Sequence, residues 1–233
     1  ITDSAIAFRT PSDESGEIRP YTRARAMKNG WAWEIPTQKE RGNGYVYSSS
    51  FCSEEEAVAE MEELLDIQIS DYRHFNFDPG YLEEPWVGNC VAVGLASSFV
   101  EPLEATSIGS TIISAQSLIG YLASFEKGNE WSQKEYNRLF TGIMLNILDM
   151  IRLHYISDRT DTPFWAALQE VPIPESLERL LGIWSERPPQ PTDFCHGELA
   201  MFNLPHFYHV AQGVGVLNPD SARRSLQSFD WES

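Results

Sequence analysis

Trp86-Val-Gly-Asn-Cys-Val-Ala-Val-Gly-Leu-Ala-Ser-Ser-Phe-Val-Glu-Pro-Leu-Glu-Ala-Thr-Ser-Ile108 is the stretch on which the reading of this chain turns. Within it, Cys90-Val91-Ala92-Val93 is a short apolar run that reads as a buried strand, with Gly88 and Asn89 at its entrance and Gly94 at its exit. A run of small residues and a turn at Pro102 follow, and Thr106-Ser107 is a start signal for a helix over 108–124. A strand, a glycine-rich turn and a helix N-terminus together make a cradle for an electron-rich ring or an anion. Glu104 lies within that cradle, where a buried carboxylate is costly unless it has a task or a partner. On pattern alone the segment is equally a strand–turn–helix of an ordinary α/β core.

Outward from this stretch, the chain divides into a sheet-rich and a helical half. Residues 4–10 and 19–27 read as strands joined by the polar loop 11–16, and strands near 31–35 and 43–49 continue a meander. An amphipathic helix is expected over 53–65, followed by a bridging stretch, Phe75-Asn76-Phe77-Asp78-Pro79-Gly80-Tyr81. Beyond residue 108 the apolar period becomes helical, as in 132–156 with Leu139, Ile143, Ile147, Met150 and Ile151, where Ser132 and Glu135 form a capping box. Further helices are expected at 175–185 and 205–212, on either side of the break Pro188-Pro189-Gln190-Pro191. The fold class is therefore α+β. A mixed or antiparallel sheet occupies 1–107, and a mainly helical region, 108–233, packs on it as one unit.

Composition excludes some classes of function. The 17 basic and 34 acidic residues give a net charge of −17, which argues against binding nucleic acid or an anionic membrane. Glu54-Glu55-Glu56 and the acidic run to Glu63 read as the solvated face of helix 53–65. Cys52, Cys90 and Cys195 form no C-x-x-C pair, and the chain carries no long apolar run or signal peptide, so a reducing, cytoplasmic setting is expected. The histidines lack metal-ligand spacing; His206 and His209 are three apart, but no carboxylate or cysteine supports them. No metal site is expected.

Three motifs in register carry a family resemblance. Trp31-Ala32-Trp33-Glu34-Ile35-Pro36, followed by Gly42-Asn43-Gly44-Tyr45-Val46-Tyr47-Ser48-Ser49, resembles the W-x-W-x-I-P signature and following strand of the flavin-dependent tryptophan halogenases. Segment 86–108 resembles the same family's W-V-G-N-C-V-x-x-G-x-x-x-x-F-V-E-P-L-E-[SA]-T, and Asp161-Thr162-Pro163-Phe164-Trp165 matches its D-T-P-F-W. The resemblance implies an FAD-dependent enzyme with the sheet of a flavin-monooxygenase-like fold. Members are roughly twice as long and begin with a G-x-G-x-x-G that lets the FAD pyrophosphate approach the backbone. Gly42-Asn43-Gly44 lacks the third glycine and leads into a strand. The chain is thus expected to be the carboxy-terminal half, with the amino-terminal half and its catalytic lysine absent. The alternatives are a flavin monooxygenase of similar fold and an inactive halogenase fragment.

The resemblance also implies roles for particular residues. Reduced FAD, supplied by a separate flavin reductase, would be used to convert a halide ion to hypohalous acid, which halogenates an indole. Glu104 aligns with the family's catalytic glutamate, facing the cationic ring intermediate or taking its proton. Thr106 and Ser107 align with the positions whose backbone N–H groups hold the halide. Leu95 and Ile108 align with main-chain contacts to the flavin, and Gly88 and Asn89 with the segment that closes over the cofactor. Trp31 and Trp33 would flank the tunnel between flavin and substrate; packing in the core is the other reading of both.

The substrate end departs from the tryptophan-specific pattern. In residues 192–208 the Tyr-Tyr pair is absent, Phe202 stands in place of a ring-stacking Trp, and His206 replaces an Asn. Glu198 lies near the amine-binding glutamate but out of register, and Ala105 replaces the serine usual after the catalytic glutamate. An aromatic, indole-like small molecule other than free tryptophan is the expected substrate.

Overall fold

The computed structural model describes residues 1–12, 18–126, 130–194 and 200–227 of the chain. Helices and strands are mixed, and chain contacts divide them into two compact units. One contains Ile1–Pro79 with Asp158–Val171; the other contains Gly80–Ser157 with Pro172–Ser233.

The first unit is built on a five-stranded sheet, antiparallel at every pairing. Its strands are β1 (Ser4–Pro11), β2 (Arg23–Ala26), β3 (Gly30–Pro36), β4 (Glu40–Tyr47) and β5 (Arg73–Asn76), in spatial order β2-β3-β4-β1-β5. Because side chains alternate across a strand, each pairing sets which residues share a face. Ile6, Ala32, Tyr45 and Tyr47 fall on one face and are buried beneath α1 (Glu54–Leu65), with Ala57 and Met61 of that helix. Ser53 caps α1 in a reciprocal capping box with Glu56. Trp31 and Trp33 fall on the opposite face, half-buried, with ring centroids 5.9 Å apart, and so lie outside that core. Gly44 is the cross-strand partner of Trp33, and a Cβ there would come within 2.1 Å of the indole. The glycine of the G-x-G-Y run is therefore space for the tryptophan. Glu34, between the two motif residues Trp33 and Ile35, is buried and held by Arg25 at 3.2 Å, Arg41 at 3.3 Å and Arg23 at 3.5 Å.

The D-T-P-F-W motif closes this unit. Thr162 caps α4 (Pro163–Leu168), donates through its hydroxyl to the Lys28 carbonyl at 2.6 Å, and is followed by Trp165, whose indole N–H donates to the Met27 carbonyl at 2.8 Å. These bonds clamp the β2–β3 turn. Arg159 stacks 4.4 Å from the centroid of the Trp165 ring.

The second unit is mainly helical: α2 (Thr106–Ala123), α3 (Trp131–His154), α5 (Glu175–Glu186), α6 (Leu204–Gly213) and α7 (Pro219–Gln227). Tyr136, Phe140, Ile143, Met144, Ile147, Met150 and Ile151 make the buried stripe of α3. The two-residue strands β6 (Gly80–Tyr81) and β9 (Ser98–Phe99) pair with each other, as do β7 (Trp86–Val87) and β8 (Cys90–Val91). No described helix is long and apolar enough to cross a membrane.

Four expectations are corrected here. The run 90–93 is not a buried strand: Cys90 is exposed, residues 91–93 are half-buried, and only two residues pair, in a hairpin turning at Gly88 and Asn89. A two-residue Gly-Asn loop between apolar residues is a hairpin signal, and it outweighs the apolar run. The buried member is Trp86, whose backbone is gripped by Asn137 at 2.9 and 3.0 Å and by Gln133 at 2.7 Å. The second correction is the order of the sheet: β1 lies between β4 and β5 and does not pair with β2, so the meander runs only through β2-β3-β4. Chain contacts group residues 80–107 with the helices and 158–171 with the sheet. Third, α3 starts after Glu130 with no side-chain cap, and Glu135 pairs with Arg138 instead of Ser132. Fourth, α2 begins two residues earlier than the 108 expected.

Candidate functional site

The loop joining β9 to α2 has a backbone that few residues adopt. Leu103–Ala105 is a 3-10 turn capped by Pro102, and within it Glu104 (φ 62°) and Ala105 (φ 50°) are both left-handed. Neither is glycine, so each conformation costs on the order of 1–3 kcal/mol. Two such residues in a row persist only where surrounding bonds over-determine them. The surrounding bonds come from the end of α3. His154 and Tyr155 are adjacent, and each holds one glutamate of this loop: Tyr155 Oη donates to buried Glu101 at 2.6 Å, and His154 Nε2 lies 3.1 Å from Glu104 Oε1.

Glu104 is more open than expected, its side chain 42 % exposed. It is a presented carboxylate with a partner, not a sealed one. The hydrogen bond from His154 holds its carboxyl below the ordinary value; partial burial opposes this, and the charges of His154 and His206 reinforce it. His154 Nδ1 lies 2.8 Å from the Met150 carbonyl, which assigns the hydrogen to Nδ1 and leaves Nε2 facing the carboxylate. No sequence motif pointed to His154. The signal was its place on α3, fifty positions along the chain from Glu104.

The substrate residues named from the sequence reach the same neighbourhood. Asn146 of α3 brackets Phe202, accepting from its N–H at 2.7 Å and donating to its carbonyl at 3.1 Å. Phe202 is buried and meets the His206 ring edge-on, centroids 5.5 Å apart. His206 sits at the start of α6, its Nδ1 2.9 Å from the capping Asn203 side chain, and its charge bears on Glu104. Glu104, His154, His206 and Phe202 thus form one cluster. Glu198 and Cys195 lie outside the described residues.

Thr106 and Ser107 open α2, a helix of 18 residues preceded by left-handed Ala105 and without a side-chain cap. Thr106 is buried. The first N–H groups of a helix have no partner within it, and the helix dipole adds positive potential there. Leu95, in the 3-10 turn Gly94–Ala96, and Ile108, on α2, are both 74 % exposed. Gly94 (φ 65°) lets that turn run close to Thr111 of the same helix. Gly88 and Asn89 are exposed at the β7–β8 turn. Trp31 and Trp33 belong to the sheet unit and are described there. Among the described residues, no three His, Cys, Asp or Glu side chains are placed to hold a metal.

Known proteins resemble this chain closely enough to name its family. The family model described as tryptophan halogenase matches residues 1–230. Tryptophan 7-halogenase RebH of Lentzea aerocolonigenes is 37 % identical over 188 residues, covering 79 % of this chain and 35 % of its own. Among solved structures, the flavin-dependent halogenase BrvH from Brevundimonas sp. BAL3 superposes with a TM-score of 0.85 at 33 % identity, over 98 % of this chain and 46 % of its own. Tar14, a tryptophan C-6 flavin-dependent chlorinase from taromycin biosynthesis, superposes with a TM-score of 0.88 at 29 % identity, over 99 % and 46 %. The chain spans less than half the length of each of these relatives. With the three motifs, the match over nearly all its residues and the shared architecture, the chain belongs to the tryptophan halogenase family.

Proposed function

We propose that this chain is part of an FAD-dependent halogenase that chlorinates or brominates an electron-rich, indole-like aromatic. The observation that carries the reading is the pair of consecutive left-handed residues, Glu104 and Ala105, which present a carboxylate beside the uncapped start of α2. Strain of this kind collects at functional sites. A carboxylate and a helix N-terminus side by side suit a reaction that uses a halide and develops positive charge on a ring.

The residues present fit a flavin in part. Exposed Leu95 and Ile108 and the positive-φ turn at Gly94 offer main chain and apolar surface to a flat ring, with Gly88 and Asn89 for the polar part of FAD. A pyrophosphate-binding G-x-G-x-x-G is not among these residues. We assign it, and the family's lysine, to an amino-terminal half of a flavin-monooxygenase-like fold. Reduced FAD, delivered by a separate flavin reductase, supplies with oxygen the chemistry that turns halide into hypohalous acid. Thr106 and Ser107 hold the halide through backbone N–H groups. Once the halogen is on the ring carbon, Glu104 faces the cation and takes the ring proton, and the C–H electrons return to the ring. Phe202 and His206 border the substrate. Cys52 and Cys90 are free thiols, in keeping with a reducing cytoplasm.

Glu104→Gln tests this assignment. It keeps the size and removes the charge, and in the intact enzyme halogenated product should fall on the order of a hundredfold. Oxidation of reduced flavin by oxygen, which does not use this carboxylate, should continue. Product formed at the wild-type rate would place the chemistry at another residue.

A further inference from the structure

We propose that His154 is the positioning residue of Glu104, orienting the carboxylate from the end of α3 and holding it ionised by donating a hydrogen bond from Nε2. This rests on the assignment of Glu104 above and goes one residue beyond it. The geometry restricts what the imidazole can do. Its Nδ1 hydrogen is committed to the Met150 carbonyl at 2.8 Å, which fixes the ring plane and leaves Nε2 aimed at Glu104 Oε1, 3.1 Å away. If Nε2 is bare and Glu104 ionised, two acceptors face each other and no hydrogen bond forms. One proton between them makes the bond, on either side of it. The pair is therefore built to hold one proton.

Position favours that role. His154 occupies the last turn of α3, where the helix dipole favours a cation. Its neighbour Tyr155 pins Glu101, so the strained turn that carries Glu104 is held at both ends by adjacent residues of one helix. Among the described residues, His206 of α6 is the other titratable group that bears on Glu104, and its Nδ1 is occupied by Asn203. The step balances. The ring C–H bond breaks and its electrons restore the aromatic ring; the proton forms an O–H bond on Glu104 and leaves to water after the product departs, which restores the one-proton pair with His154. No oxidant beyond the hypohalous acid of the halogenation is needed.

The test is the pH dependence of kcat in the intact enzyme, with indole, halide and a flavin reductase supplied in excess. His154→Leu removes the donor. Its kcat should fall about tenfold with KM within about twofold, and the acid limb of its profile should move up by about one pH unit, because Glu104 loses the partner that keeps it ionised. His154→Gln can still donate to Glu104, so its acid limb should stay in place and its kcat should recover toward the wild type. Where the leucine variant does not fold, His154→Ala takes its place. An unmoved acid limb in the variant without a donor, with Glu104→Gln inactive beside it, would overturn the proposal and leave Glu104 standing. Full activity of Glu104→Gln would instead remove the assignment on which the proposal depends.

Discussion

At the scale of single residues, the family motif makes Glu104 the candidate, but the motif alone conveys neither its strain nor its partner. The sequence reading treated the residue as a buried acid. In the structure it is an open acid on a left-handed backbone, its charge favoured by an imidazole brought in from α3. Substrate choice also belongs to this scale. Phe202 is a buried flat ring that meets His206 edge-on, whereas His206 turns its Nδ1 to Asn203 at the position where the resemblance implies an Asn. A zwitterionic tail entering this cluster would give up its water for few assigned partners. Indole should therefore be turned over with a higher kcat/KM than free tryptophan in a side-by-side assay with either chloride or bromide. A preference for tryptophan would mean that polar contacts to its tail come from residues not named here.

At the scale of elements, what was legible depended on how local the signal was. The period of α3 and the alternation in β3 and β4 could be read directly, since each is a repeating pattern of buried positions. Segment 90–93 was misread because four apolar residues suit a strand or a covered turn equally, and the grip of α3 on Trp86 decided between them. The same helix carries a group whose ionisation opposes folding. Asp149 is buried, accepts from Ser176 at 2.8 Å and lies near Arg179, yet burial outweighs both and raises its pKa to about 6. An acid with a raised folded pKa binds its proton more tightly when folded. Its relative stabilisation is complete below the unfolded value of about 3.9 and is lost as pH rises through about 6. Asp149→Asn keeps the shape and abolishes the titration. In denaturant unfolding, its stability advantage over the wild type should grow by about 2–3 kcal/mol between pH 4 and pH 7, the equivalent of a shift of roughly two units. A constant difference across that range would show that Asp149 does not titrate there.

At the scale of the whole molecule, we propose that the chain supplies one side of a cofactor site. Its flavin-facing candidates are Gly88, Asn89, Leu95 and Ile108, and none of them belongs to a phosphate-binding loop. The 233-residue chain alone should therefore bind FAD no tighter than micromolar when flavin fluorescence is followed in a titration. Stoichiometric binding at sub-micromolar concentration would contradict this. The sequence by itself determined the family, the α+β class, the strands β3 and β4, the length of α3 and the candidacy of Glu104, because these rest on short motifs or on periods that repeat every two or 3.6 residues. Tertiary structure alone decided that 80–107 belongs with the helices, that the D-T-P-F-W motif clamps the turn after β2, and that His154, Phe202 and His206 gather around Glu104. Each of these depends on hydrogen bonds or charges between residues fifty or more positions apart, and no local pattern encodes which distant partner a side chain will meet.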